Sequence, residues 1–572
     1  MKTNALFLGL LLILTLVCDR QALAFSLEGD AEKSPEFILE ELIGEYDNHE
    51  TPGGVVLVMR DGEVIYTRAF GMANLSHDIL FADNTPTNIG STSKQFTAFA
   101  IALLEEKGLL SIEDDIRMHI PELPDLGDTI RLRHLISHTS GYREYLNSFA
   151  MSGRNLNDFI SQREIIPMIQ RQPELQNIPG ESFNYNNTGY AMLAMVVARV
   201  TGEDFPVWIK ENVFEPLGMH NTQVRTHPGQ VISGFAQGYS VNDENESVAL
   251  PDIYASMGAG GIYSTALDLA KWVGNFHDPV VGTPEIIRRM QLPFAFNSGE
   301  AGTYGYGLFL GDLNGLKMVQ HGGADVAHRS SLLMFPEIRG AVITQSNNSR
   351  FPGQVANSVA EAFFGDVMDL PDQVQEETGD FVYDAEMFDE LAGRYELEAA
   401  PGFILEFTRE GDTLYTQATG QSRFEIYASS DSTFYMTVVE ASMTFHRNED
   451  GVADAVTLHQ NGHHRANRIM EAAWEPSPED LEMYKGRYYS DELEAFYSVV
   501  LDDEGRLVLQ HRRLSDNPLK AGSKDEFSGG FPISGIQFLR NDDGVVYGFK
   551  ASSGRSFGIL FEKQFQGHVN AN

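Results

Sequence analysis

Three short stretches of this sequence hold side chains that could do covalent chemistry together. The first is Ser91-Thr92-Ser93-Lys94, directly after Ile89-Gly90. Residues three apart on a helix share a face, which places the Lys94 amine beside the Ser91 hydroxyl. A lysine kept neutral by burial or by nearby cations can take the serine proton and activate the oxygen as a nucleophile. A helix start also favours the negative charge that develops on an attacked carbonyl. Alone, the string reads as a capped surface helix. The second stretch is Tyr185-Asn186-Asn187. On an extended segment Tyr185 and Asn187 point the same way. Tyr185 can then relay a proton to a leaving group, and Asn187 can hold a substrate amide. The other reading is a polar turn with a helix cap at Asn187 or Thr188. The third stretch is His321-Gly322-Gly323-Ala324. Its glycines allow a substrate backbone to approach a strand edge closely. The Ala324 amide can then join the Ser91 amide in stabilising an oxyanion. The other reading is a Gly-Gly hairpin with an incidental histidine.

Positioning these groups needs a mixed scaffold. Gly53 to Val64 reads as two strands joined by an Asp61-Gly62 turn. Ser91 to Lys107 is helix-like, with Gly108 as its stop. Ile178-Pro179-Gly180 marks a loop, and Tyr190 to Val200 resumes a helical Ala/Met/Val pattern. Leu332 to Phe335 and Ala341 to Gln345 read as strands. Residues 33–366 therefore form an α+β domain with helices packed on a sheet.

Asp369 to Asp384 is acidic and poor in large apolar groups, and residues 367–384 read as a linker. Beyond it lie short alternating strands that repeat. Gly393-Arg394-Tyr395 recurs as Gly486-Arg487-Tyr488, and Phe445 to Val452 recurs as Phe538 to Val545, both at an offset of 93. Glu475-Pro476-Ser477-Pro478 divides the copies, 385–473 and 477–566. Each copy of about 90 residues suits a small antiparallel barrel of about eight strands. Within the second, Leu514 to Gly529 reads as a long loop.

The three stretches, in this order, resemble the penicillin-recognising serine hydrolases: class C β-lactamases, D-alanyl-D-alanine carboxypeptidases, D-aminopeptidases and related esterases. Leu132 to Gly141 is similar to the family's segment after the nucleophile helix. Phe214 to Met219, and Ala259 to Thr265 with Asp268 and Trp272, also look familial. The resemblance implies a β-lactamase/transpeptidase-like domain whose helices pack on an antiparallel sheet. It implies Ser91 as the acylated nucleophile, Lys94 as its base, Tyr185 as proton relay, and His321 beside them. Asn187, Gly323 and Ala324 would bind substrate. It implies no cofactor and no metal. His138 reads as structural, and His463-His464 as solvated. The tail is similar to the two lipocalin-like barrels of bacterial D-aminopeptidases, in which a tail loop closes the site; Leu514 to Gly529 is the candidate here.

One departure bears on substrate. Class C β-lactamases and many carboxypeptidases place a lysine where His321 stands, and a neutral histidine attracts a carboxylate less. Arg329 is a candidate for the missing charge, or a plain surface arginine. The expected partners are small peptides, amides or esters, D-amino-acid-containing ones among them, and peptidoglycan fragments. A β-lactamase or carboxypeptidase, and a non-catalytic binder of wall fragments, are the alternatives.

Composition narrows the setting. Among 572 residues there are 41 Lys+Arg and 81 Asp+Glu, a formal charge of -40. Nucleic acid and anionic membrane surfaces are poor partners for such a chain. Lys2, the apolar run Ala5 to Val17 and Ala22-Leu23-Ala24 read as a signal peptide over residues 1–24. The expected location is therefore the periplasm, with outright secretion as the alternative. The single cysteine, Cys18, lies in that leader; it is removed on cleavage after Ala24 or, in the alternative reading, carries a lipid. Without it the mature chain has no disulfide, thiol nucleophile or thiolate metal site.

Overall fold

A computed structural model describes residues 33–156, 158–242, 246–251, 257–369, 383–398, 404–418, 423–436, 441–448, 451–459, 463–469 and 474–564. The expected signal peptide and most of the expected linker lie outside the described residues.

The first region is built on one antiparallel sheet. Its strands are β1 (Gly54–Arg60), β2 (Glu63–Phe70), β3 (Phe309–Leu313), β4 (Leu316–Ala324), β5 (Arg329–Phe335) and β6 (Gly340–Ser346), in the order β3-β4-β5-β6-β1-β2. Between β1 and β2 the turn is two residues long, and Asp61 and Gly62 both take positive φ, the conformation that matches the strand twist. Alternate residues of β1 serve different cores. Val55, Leu57 and Met59 face one, and Val56 and Val58 face the other. Such a strand is apolar on both faces because both faces are covered.

Helices supply the cover: α1 (Pro35–Ile43), α2 (Lys94–Glu106), α3 (Tyr145–Met151), α4 (Asn187–Thr201), α5 (Ala266–His277) and α6 (Val355–Phe364). α1 and α6 pack on the Val56 side, and α2, α4 and α5 on the Val55 side. Helix α2 is buried at every position from Lys94 to Leu104, and apart from Lys94, Gln95 and Thr97 those residues are apolar, so apolar side chains are not confined to one stripe. The expected helix from Ser91 begins three residues later, because Gly90–Ser93 is a 3-10 turn. Ser91 and Lys94 still meet, since side chains three apart eclipse in a 3-10 turn.

Both tail copies form barrels. Eight strands from Gly393–Leu397 to His463–Arg468 close the first. The second has nine, with β7 (Asn517–Pro518) and β8 (Lys520–Ala521) at the two ends of the hydrogen-bonded order. Only Leu519 separates β7 from β8 along the chain, so one bent strand brings the wall round on itself. The repeat has a physical basis. Tyr395 donates to the Leu391 carbonyl at 2.7 Å and Tyr488 to the Tyr484 carbonyl at 2.6 Å, the same bond in each copy. Phe445 and Phe538 are buried at matching places in the two cores. Leu514 to Gly529 is not the expected loop; it supplies β7, β8 and the strand Glu526–Ser528. Its apolar Leu519 and Phe527 belong to the second barrel's core and Leu514 packs against it, which draws the segment into the wall.

The second barrel also packs on the catalytic domain. Met151 of α3 lies within the barrel's core, and Tyr497 donates to its carbonyl at 2.9 Å. Arg143, 2% exposed, donates to Glu492 at 2.5 Å and also to the Phe557 carbonyl. Removing one member of a buried pair strands the other charge. Arg143→Ala is therefore expected to destabilise the protein by about 3–5 kcal/mol. Lys520→Ala, which breaks the exposed Lys520–Glu406 pair between the barrels, is expected to cost less than about 1 kcal/mol. Thermal unfolding of the two variants checks the contrast.

Candidate active site

Ser91 sits where α2 meets β4. Two glycines permit the approach. A side chain on Gly90 (φ +51) would lie 2.6 Å from the Ala324 nitrogen, and one on Gly323 would lie 2.0 Å from the Ile89 carbonyl. The close contact that Gly323 allows is thus to this chain's own nucleophile turn. A side chain on Gly322 would meet nothing nearer than 3.8 Å. Hydroxyls hold the junction. Ser330 of β5 donates to the Ile89 carbonyl at 2.8 Å and accepts from Thr92 at 2.9 Å. The Ala324 amide is thereby fixed beside the residue that precedes Ser91.

Lys94 is wholly buried, with three oxygens around its amine: Ser91 Oγ at 3.0 Å, Asn187 Oδ1 at 2.8 Å and the Ala259 carbonyl at 2.8 Å. No carboxylate pairs with it among the described residues. Burial, reinforced by the positive charge of Arg555, holds Lys94 well below the ordinary lysine range, and Glu144 opposes that fall. A neutral amine has two hydrogens and one lone pair. Two of its neighbours are carbonyl oxygens that only accept. They take the hydrogens, and the lone pair is left facing the Ser91 hydroxyl.

Asn187 is oriented in turn by Glu144, which is fully buried. The Asn187 backbone N–H donates to Glu144 at 2.5 Å and its side-chain Nδ2 at 3.2 Å. This fixes which way the amide faces, so its oxygen meets Lys94. Sequence reasoning gave Asn187 to a substrate amide; here both ends of its side chain lie in the Lys94 network. The cap of α4 is Asn186, whose oxygen accepts from the Gly189 amide at 2.9 Å.

Tyr185 covers the site. Its ring centroid is 4.8 Å from the Lys94 amine and 4.3 Å from the His138 ring centroid, and it stacks on Phe309. His138 accepts from the Asn186 amide at 2.9 Å and so positions the Tyr185 segment. His321 is buried. Its Nδ1 donates to the Gly322 carbonyl at 2.6 Å, which leaves Nε2 to accept from the Tyr304 hydroxyl at 3.0 Å. Burial pushes His321 down to about 3, so it is neutral at physiological pH. Arg329 is not a plain surface side chain: its guanidinium donates to the carbonyls of Asp325 and His328, at 3.0 and 2.8 Å, and braces the turn after Ala324.

The structure thus brings Ser91, Lys94, Asn187, Tyr185, His321, Gly323 and Ala324 to one place. Sequence reasoning missed Glu144, Tyr304 and Arg555. Tyr304 had a signal in the glycine-spaced Thr303-Tyr304-Gly305-Tyr306-Gly307. Arg555 had none, because it arrives from the second barrel. Among the described residues no group of three or more His, Cys, Asp or Glu is placed to hold a metal ion.

The family model described as Beta-lactamase matches residues 39–362. The chain belongs to the β-lactamase family. This β-lactamase-family serine hydrolase is similar to penicillin-binding protein 4* of Bacillus subtilis, 28% identical over 431 residues that cover 72% of this chain and 93% of that one. It is also similar to a D-aminopeptidase of Gluconobacter oxydans, 26% identical over 354 residues, 61% of this chain and 66% of the relative. The octameric penicillin-binding protein homologue of Pyrococcus abyssi shares the fold, with a TM-score of 0.54 at 24% identity, over 76% of this chain and 99% of that one. The first barrel falls within a match to a domain of unknown function, DUF3471, over residues 383–469.

Within this β-lactamase-family hydrolase, Glu144 acts on the amine both by charge and through Asn187. Glu144→Gln removes the influence that raises Lys94 and loosens the Asn187 amide. The acid limb of kcat/KM for a neutral ester is expected to move to lower pH, while its plateau drops by about a hundredfold. A pH–rate profile of wild type and variant checks both.

Proposed function

We propose that the protein is an exported serine hydrolase that forms an acyl-enzyme on Ser91 with small amides, D-amino-acid peptides or esters. The observation that carries this reading is the Lys94 amine, buried and flanked by two carbonyls, with its third neighbour the Ser91 hydroxyl. In the proposed course Lys94 accepts the Ser91 proton as Oγ attacks the substrate carbonyl. The amides of Ser91 and Ala324 receive the oxyanion. The leaving group departs with a proton delivered from Lys94, with Tyr185 as relay, and water then releases the acyl group from Ser91. The D-aminopeptidase among the relatives supports D-configured substrates, and the penicillin-binding protein supports wall peptides.

The leader supports export: Lys2, the apolar run Ala5 to Val17 and the small residues Ala22 and Ala24 fit a cleaved signal. Periplasm is the location proposed, where peptidoglycan fragments are at hand. Among the described residues no helix is long and apolar enough to cross a membrane.

The test is hydrolysis of D-alanine p-nitroanilide, its L-isomer, p-nitrophenyl acetate and a chromogenic cephalosporin by the mature protein and by Ser91→Ala. Turnover is expected to be lost in the variant, with its melting temperature kept. Preference for the D-anilide would place peptides first, and acetate alone would place esters first. Undiminished activity in Ser91→Ala would sink the acyl-enzyme.

A further inference from the structure

Arg555 belongs to the second barrel yet stands against the catalytic tyrosine. Strands β9 (Val546–Ser553) and β10 (Ser556–Gln564) are joined by Gly554 and Arg555 alone, with Ser553 paired to Ser556. Gly554 takes φ +50, as the first position of a two-residue turn of this kind requires. The tip is fixed to the catalytic domain by its backbone. The Arg555 carbonyl accepts from Gln176 and from Asn184, each at 3.1 Å, and its N–H donates to Asn147 at 3.4 Å. The next residue, Ser556, donates to the Glu144 carbonyl at 2.9 Å. Asn184 directly precedes Tyr185, so the hairpin is anchored beside the site.

The side chain is differently placed from its backbone. The guanidinium carbon lies 5.2 Å from the Tyr185 ring centroid, on the ring that also faces the Lys94 amine at 4.8 Å. It makes no ion pair and donates no hydrogen bond among the described residues. That is notable in a chain with 81 acidic and 41 basic residues, where a half-buried arginine readily finds a carboxylate. The nearby acid, Glu144, is committed to Asn187. The other cationic candidates at the site are also unavailable. His321 is neutral and bonded to Tyr304, and Arg329 is turned onto the backbone carbonyls of Asp325 and His328.

We propose that Arg555 is a specificity-determining residue that receives a carboxylate of the substrate beside Ser91. This rests on the acyl-enzyme reading and narrows it. A guanidinium presents paired donors that match a carboxylate's two oxygens. The same charge repels a free amino group. Peptides ending in a carboxylate next to the scissile bond are favoured, and unblocked amines are disfavoured. The cation comes from the far end of the chain, in place of one on β4.

The test uses the full-length mature protein and calorimetric binding of N-acetyl-D-alanine, N-acetyl-D-alaninamide and D-alaninamide, which needs no turnover. Wild type is expected to bind the acid at least about tenfold more tightly than the neutral amide. The ratio is expected to fall to about one in Arg555→Ala and to recover in part in Arg555→Lys. In Arg555→Glu the cationic D-alaninamide becomes the best of the three. An unchanged melting temperature in Arg555→Ala shows the hairpin still docked, and partial recovery in Arg555→Lys is a result that a collapsed hairpin would not give. No acid preference in wild type, no binding of the acid, or a preference that survives Arg555→Ala overturns the proposal. Acetate hydrolysis by Ser91→Ala tests the acyl-enzyme separately, since its persistence removes that reading whatever Arg555 binds.

Discussion

The structure turns on one amine that has been taken out of water. A lysine in solvent is a cation and cannot accept a proton. Lys94 is stripped of solvent, paired with no carboxylate among the described residues, and surrounded by three oxygens of which two can only accept. Desolvation disfavours its charged form, and the carbonyls of Asn187 and Ala259 decide where its lone pair points. Much of the surrounding architecture keeps these conditions. Helix α2 is buried on all sides, Tyr185 roofs the amine, and Glu144 stops the Asn187 amide from turning over. The Glu144 charge also works against neutrality, so its position balances orientation against charge.

The strand beside this amine has a separate constraint, which is space. The nucleophile turn and β4 approach so closely that neither Gly90 nor Gly323 can carry a side chain. That closeness holds the Ala324 amide next to Ser91 without a dedicated loop. The hydroxyls of Thr92 and Ser330 bridge the same gap, so the groups that would meet an oxyanion belong to a rigid seam.

Much of this was legible in the sequence. Ser91, Lys94, Tyr185, Asn187 and the His321-Gly322-Gly323-Ala324 strand stood out because their chemistry needs fixed local spacings. The barrels were legible because their repeat preserves a buried tyrosine that bonds back four residues and a phenylalanine in each core. What escaped was anything set by distance along the chain. Glu144 is an ordinary acid until α4 is laid against it, and Tyr304 an ordinary aromatic until it meets His321. Leu514 to Gly529 looked like a loop because its strands are two or three residues long, too short for an alternating pattern to register. For the same reason Arg555 could not be chosen over the other arginines.

The bond from Ser556 to the Glu144 carbonyl spans 412 positions of sequence. The entropy of closing so wide a loop grows only slowly with length, so the equilibrium bears it easily. The order of events is affected more. The catalytic domain and the second barrel each have a core of their own, and domains tend to fold as units before they dock. The segment holding Glu144 therefore waits for the β9–β10 hairpin before its outer wall is in place. The pocket is completed only when the barrel docks, and a chain cut short before that hairpin carries the nucleophile without the surface that encloses it.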